Sequence, residues 1–305
     1  MVWTTADIPS QAGRICVVTG TGGLGYETAV VLAAKGADVI LAGRNPAKGA
    51  QSIDRIRAAV GRAARFEALD LASLASIAAF AERLAGEAER VDLLVNNAGV
   101  MAPPTRGQTA DGFELQFGTN YLGHFALTAH LLPLLRRAEA ARIVSLSSGV
   151  HVAGAIRFDD PQWERAYSPE RAYAQSKLAM LMFALELQRR SHAGGWNLMS
   201  NAAHPGYART DLIDNGPGRR GAMYLVSRVL GAFASQSAAD GAWPTLFAAT
   251  SPEAVGGGYY GPSQMLEMKG PPKAAFISRR ARDPEAARRL WELSERLTGV
   301  AWPSG

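Results

Sequence analysis

One cysteine, Cys16, stands in 305 residues, so no disulfide framework and no cysteine-built metal cluster is available to the chain. It lies inside the apolar run Ile15 to Val18, where a small buried hydrophobe is expected rather than a working thiol. Metal-ligand spacing is missing too. The histidines at 124, 130, 151, 192 and 204 make no His-Glu-x-x-His, and no metal is expected. No apolar run approaches the roughly 20 residues of a membrane span. The opening Met-Val-Trp-Thr-Thr-Ala-Asp lacks the basic-then-apolar order of a secretory signal, so the expectation is a cytoplasmic protein with no integral membrane span. Long runs of one charge are also absent. The net charge of +5 comes from scattered pairs such as Arg136/Arg137, Arg189/Arg190 and Arg279/Arg280, without interleaved aromatics. Such pairs suit solvated helix faces and helix C-termini, and no nucleic-acid partner is expected.

What the chain does have is an alternation of short β-branched runs with long Ala- and Leu-rich stretches. Strands are expected at Arg14 to Thr19, Asp38 to Ala42, Ala64 to Leu69, Val91 to Asn96, Ala141 to Ser147 and Asn197 to Ala203. Helices are expected near 24–35, 46–60, 73–89, 111–138 and 170–191. Several strands are apolar nearly throughout, as strands covered by helices on both faces are. The expectation is one α/β domain over residues 12–300, a Rossmann-type doubly wound parallel sheet with helices on both faces. Residues 211–235 open with a Gly/Pro hinge and continue with an apolar helical pattern, which reads as a substrate lid. A C-terminal helix is expected over 284–297, with Asp283 as its N-cap and Pro284 in its first position. The apolar helix around Leu178 to Leu187 offers a face for a second copy, a possible homo-oligomer.

Two motifs carry chemistry. Gly20, Gly22 and Gly25 give Gly-x-Gly-x-x-Gly between a strand and a helix, where backbone N–H groups can approach a pyrophosphate. Tyr173 and Lys177 stand four residues apart on one helix face, where the lysine charge can lower the phenol's proton affinity and make it a general acid. At the end of the second strand the sequence has Arg44 where an acidic residue would bind a ribose 2′-hydroxyl; an arginine there suits a 2′-phosphate, so NADP(H) is favoured and NAD(H) is possible. Further polar residues gather at strand C-terminal ends or in the helices just beyond: Asn96-Asn97-Ala98-Gly99, Asn120, and Ser147-Ser148.

With Ala172-Tyr-Ala-Gln-Ser-Lys and His204-Pro-Gly-Tyr-Ala-Arg-Thr, these motifs resemble the short-chain dehydrogenase/reductase family, in its retinol dehydrogenase-like branch. The resemblance implies Tyr173 as proton donor or acceptor, Lys177 as the holder of the nicotinamide ribose, Ser148 as the hydrogen-bond donor to the substrate oxygen, and Asn120 as the anchor of a proton relay. It implies a cofactor site of Gly20, Gly22, Gly23, Leu24, Gly25, Arg44, Asp70, Leu71, Asn97, Ala98, Gly99, Tyr173, Lys177, Pro205, Gly206 and Thr210. Asp70 would contact adenine, or else cap the helix that follows, and Thr210 would hold the carboxamide. Tyr167 is a decoy, since Arg171 and not a lysine stands four residues on. The family usually places three residues between Thr-Gly and Gly-x-Gly; here only Thr21 and Gly22 intervene, a loop one residue short that glycines can absorb by taking positive φ. The expected activity is hydride transfer between NADP(H) and a lipophilic alcohol, ketone or aldehyde. The alternative is a silent nucleotide-sensing regulator, against which Asn120, Ser148, Tyr173 and Lys177 stand together. A hydrolase is disfavoured, as no Gly-x-Ser-x-Gly occurs.

Overall fold

The computed structural model describes residues 2–62, 64–208 and 236–303. Thr210 and the expected lid at 211–235 lie outside the described residues. Strands β1 (Ile15–Thr19), β2 (Asp38–Gly43), β3 (Arg65–Ala68), β4 (Leu93–Asn96), β5 (Ala141–Leu146), β6 (Leu198–Ala203), β7 (Tyr259–Gln264) and β8 (Lys269–Ala274) form one sheet in the order β3-β2-β1-β4-β5-β6-β7-β8. All neighbours are parallel except β7 and β8, which pair antiparallel. The expected six-strand parallel sheet therefore gains a seventh parallel strand and an antiparallel edge. Pro271 and Pro272 lie in that edge strand, where a missing N–H costs no ladder bond on the outer side.

Successive strand residues point to opposite faces, and both faces are packed. Val17, Ile40, Leu94 and Ile143 enter one core with α3 (Leu74–Glu87), α4 (Gly123–Leu135) and α5 (Pro169–Ala193). Cys16, Val18, Leu41, Val95 and Val144 enter the other, with α1 (Gly23–Ala34), α2 (Pro46–Val60) and the helix Trp243–Thr250. This two-sided cover is why the strands read as unbroken apolar runs. Burial pushes the Cys16 thiol up to about 12, so it is an inert packing group.

Helix boundaries follow the caps. Asn45 accepts from the Lys48 N–H and Pro46 occupies the first position of α2, Ser73 caps α3, and Ser168 caps α5. Before α4 the backbone widens into a π-turn over Phe117–Leu122, with Asn120 in its middle, so the single helix expected over 111–138 is divided.

The C-terminal helix Pro284–Thr298, capped by Asp283, lies against α5. Trp291 stacks on Phe183 at 5.9 Å and meets Phe125 edge-on at 5.1 Å, and Trp302 lies 4.7 Å from Trp291. Arg190 crosses the Trp291 ring at 4.2 Å while both Arg189 and Arg190 pair with the buried Glu186. The α5 face expected to bury against a second copy is thus buried by the chain itself: Leu178, Leu181 and Leu187 are all within its own core.

Candidate active site

Strand order reverses between β1 and β4, whose C-terminal ends open the crevice where ligands bind in doubly wound sheets. The glycine turn leaves β1 there. Gly20 has φ 95° and Gly23 φ 50°, left-handed values through which the shortened loop reaches α1. A Cβ on Gly25 would fall 2.4 Å from the Gly20 carbonyl oxygen, so the helix can start this close to the strand only with glycine. Thr21 packs its methyl on Gly43 and takes a 2.7 Å hydrogen bond from Ser52 on its carbonyl, tying the loop to β2 and α2. The N-cap of α1, Gly22, has no side chain to satisfy the first N–H groups. An uncapped helix N-terminus at a switch point fits an anionic pyrophosphate, and the dinucleotide expected from the motif fits these residues.

Beside this turn, Asn97 donates from Nδ2 to the Thr19 carbonyl at 2.6 Å, and the Asn97 and Ala98 N–H groups both donate to Thr19 Oγ1 at 2.9 Å. Gly99 leaves room for Asn120, whose Oδ1 would lie 3.0 Å from a Cβ at that position. Arg44 is exposed just past the end of β2. Asp70 does not cap α3, a role Ser73 takes; its Oδ1 accepts from the Ala72 N–H at 2.9 Å. Leu71 is buried, with its carbonyl against Gly123 at the start of α4.

Asn120 is fixed on both ends of its amide: Oδ1 accepts from the Val100 N–H at 2.7 Å, and Nδ2 donates to Val100 O and Ser176 Oγ. Its carbonyl accepts from His124 Nδ1 at 2.8 Å, while His124 Nε2 lies 2.9 Å from Thr19 Oγ1. Because the carbonyl can only accept, Nδ1 carries the proton and the Thr19 hydroxyl donates to Nε2. Burial holds His124 down to about 4, so it is neutral and joins β1, the Asn97 loop and the π-turn into one network. His124 was missed from sequence; its place four residues after Asn120 in a helical register was the available signal.

At the end of β5 the two serines divide their work. Ser147 Oγ is buried and donates to the Lys177 carbonyl at 2.8 Å. Ser148 caps a 3-10 turn, Gly149–Ala153, and its side chain lies close enough to the Tyr173 phenol to oppose the effect of burial on it. Lys177 is buried with Nζ on the Leu146 carbonyl at 3.0 Å and 5.7 Å from the centre of the Tyr173 ring. Burial lowers Lys177 to about 8. Burial also pushes Tyr173 well above the ordinary phenol value, with the Ser148 side chain opposing it. Burial dominates, so the neutral phenol stays above its ordinary value although the Lys177 ammonium stands beside its ring. Tyr167 is structural: its hydroxyl donates to Pro103 O at 3.0 Å and accepts from Gln116.

Pro205 and Gly206 follow β6 at the same edge. The sequence holds no sign of what backs them: the β7–β8 hairpin, whose Met268 O accepts from the Tyr207 N–H at 2.8 Å, and Gln236, whose Nε2 donates to Pro205 O at 2.7 Å. Tyr259, buried on β7 with its hydroxyl near Ser147, lies under the rings of His204 and His151 at 5.2 and 5.4 Å. Among the described residues no group of three or more His, Cys, Asp or Glu is placed to hold a metal.

Residues 14–217 match the family model for short chain dehydrogenases. The chain belongs to the short chain dehydrogenase family. It is 42% identical over 301 residues to mouse polyprenol dehydrogenase, covering 96% of this chain and 86% of that protein. It is also 42% identical over 307 residues to human retinol dehydrogenase 13, covering 97% and 88%, which places it in the retinol dehydrogenase-like branch. A crystal structure of an uncharacterized protein from Mycobacterium Paratuberculosis shares 40% identity with a TM-score of 0.82, covering 99% of this chain and 100% of that one. A short chain dehydrogenase from Shigella flexneri 2a, solved in complex with NADP, shares 27% identity with a TM-score of 0.61, covering 83% and 97%. The chain is thus an oxidoreductase of a family that binds a nicotinamide dinucleotide. No helix among the described residues is long and apolar enough to cross a membrane.

Proposed function

We propose that this dehydrogenase uses NADP(H) to interconvert a lipophilic alcohol with its ketone or aldehyde, with Tyr173 as acid and base. The observation that carries this reading is the Ser148–Tyr173 hydroxyl pair at the ligand-binding edge of the sheet, backed by a buried Lys177. The nicotinamide, when bound, supplies or accepts the hydride. The chain's own residues handle oxygen and proton. Reduction of a carbonyl builds negative charge on oxygen, which the Ser148 hydroxyl stabilises by donating to it and the Tyr173 phenol neutralises by giving up its proton. Burial keeps the phenol protonated beforehand, so it is ready as an acid. The phenolate left behind is favoured by the Lys177 ammonium, and Asn120, locked by Val100 and Ser176, fixes the π-turn beside them.

Arg44 supports the phosphate-bearing cofactor, since a guanidinium at that position pairs with a 2′-phosphate and meets no carboxylate requirement of a free ribose. The lipophilic substrate class is supported by the named relatives and by the rim of the cleft. Exposed Val150 and Val152 lie in the turn that Ser148 caps, and His151 between them accepts from the Ser278 N–H, two residues beyond exposed Phe276. NADPH oxidation against a panel of long-chain and small polar carbonyls tests the reading. Turnover is expected with the apolar members, and Tyr173→Phe is expected to lower it by about 10² or more with cofactor binding retained. A Tyr173→Phe enzyme within threefold of wild type removes Tyr173 from the chemistry. Cofactor binding without turnover of any carbonyl favours the silent nucleotide sensor.

A further inference from the structure

Behind the Pro205–Gly206 turn, a buried histidine faces a half-buried glutamate in a pair that the proton chemistry does not use. His204 directly follows β6 and is 2% exposed. Its Nδ1 accepts from the Gly206 N–H at 3.3 Å, so in the neutral ring the proton sits on Nε2. That nitrogen faces Glu267 Oε2 at 3.3 Å, an ion-pair distance with imperfect hydrogen-bond alignment. The second carboxylate oxygen, Oε1, accepts from the Phe276 N–H at 3.0 Å. Space for the ring exists only because β7 has Gly261, where a Cβ would fall 1.9 Å from His204 Nε2.

Glu267 reaches this position through an unfavourable turn. Met265, Leu266 and Glu267 have φ of 49°, 54° and 65°, three successive left-handed residues without a glycine among them. Leu266 is 96% exposed, so the turn gains nothing from burying its own tip. What it achieves is to aim the carboxylate back at His204. The hairpin grips the same turn elsewhere: Gly206 has φ 63° and a Cβ there would sit 2.3 Å from Met268 O, and Gln236 bridges Pro205 O and the Gly270 N–H, the latter at 3.1 Å.

We propose that Glu267 is a positioning residue which, through His204, sets the shape of the Pro205–Gly206 turn that receives the nicotinamide half of the cofactor. The proposal rests on the dinucleotide reading above. It makes the β7–β8 hairpin, which lies beyond the span matched by the family model, part of the cofactor site.

The test compares ligands that share everything except nicotinamide. Full-length wild type, Glu267→Gln, Glu267→Ala and the exposed, uncharged hairpin control Leu266→Ala are titrated with NADP⁺ and with 2′-phospho-ADP-ribose, and in parallel with NAD⁺ and ADP-ribose, by calorimetry. Glu267→Gln is nearly isosteric, so it tests the pair even if Glu267→Ala does not fold. Glu267 Oε1 accepts from the Phe276 N–H and Oε2 faces His204 Nε2, so each oxygen meets a donor group, and an amide offers only one accepting oxygen. Glu267→Gln is therefore expected to weaken the nicotinamide-bearing ligand about three- to tenfold while its nicotinamide-free counterpart stays within about twofold, and Leu266→Ala to change neither. Equal weakening of both ligands would show general damage to the fold, and unchanged binding would show an idle pair; either overturns the proposal. Wild type that binds none of the four ligands overturns the dinucleotide reading itself, and the proposal with it.

Discussion

Replacing Lys177 with methionine is expected to abolish turnover and at the same time stabilise the protein. The ammonium is buried and hydrogen-bonded to one backbone carbonyl, Leu146 O, and burial holds it near 8 instead of 10.5. A displacement of that size corresponds to about 3 kcal/mol against the charged form at neutral pH. Methionine fills a similar volume without charge, but it leaves the Leu146 carbonyl without this donor, which costs about 1 kcal/mol or more. The net expectation is about 1–2 kcal/mol of added stability at pH 7, a rise in Tm of a few degrees for a chain of this size. The sign with pH follows from proton binding. Between about 8 and 10.5 the unfolded lysine holds a proton that the folded one has lost, so wild-type stability rises with pH across that window. Below it the penalty is constant. The gap between Lys177→Met and wild type should therefore be largest at pH 7 and close as pH approaches 10. Chemical denaturation of both proteins from pH 7 to pH 10 measures it. A mutant less stable than wild type at pH 7, or a gap that does not narrow with pH, refutes the reasoning and would mean that the ammonium is better solvated than its surroundings indicate.

Two further outcomes bear on cofactor and core. Arg44→Asp replaces a charge-assisted contact with repulsion and should weaken NADPH by about 2–4 kcal/mol while leaving NADH equal or better, read by titration of both; unchanged NADPH affinity would mean that the shortened glycine loop carries the phosphate elsewhere. Trp291→Ala removes the indole that Phe125, Phe183, Trp302 and Arg190 all contact and should cost about 3–5 kcal/mol in denaturant unfolding, a loss below about 1 kcal/mol being incompatible with the packing described.

Strands β1, β2, β4 and β5 were legible because they are largely apolar runs bounded by turn residues, covered by helices on both faces of the sheet, whereas β3, Arg-Phe-Glu-Ala at the sheet edge, follows from the alternation. The hairpin was not legible. Tyr259–Gln264 and Lys269–Ala274 carry Gly, Pro and Lys, residues of low strand propensity, and only long-range pairing with β6 and with each other makes them strands. The polar site residues at strand ends were readable as a motif, since hydride chemistry demands that combination. Their energetics were not: spacing put a charge beside a phenol, and only the fold shows that burial outweighs it in the neutral phenol. His204 stood in a quoted motif, yet its partner Glu267 is sixty-three residues away in the chain, a distance no local pattern spans. Likewise Leu178 to Leu187 reads as an apolar stripe in any sequence, and only the folded tail shows what fills it.

The aromatic seam between α5 and the C-terminal helix has a consequence for the order in which the molecule is made. Phe125 and Phe183 leave the ribosome long before Trp291 and Trp302, the residues that cover them. Until that helix has been made the growing chain therefore carries a bare aromatic face on an otherwise completed sheet, the kind of surface that chaperones bind and that drives aggregation. Loss of the final helix would then act on yield as much as on stability, with protein diverted to inclusion bodies before the dinucleotide site has been tested by any ligand.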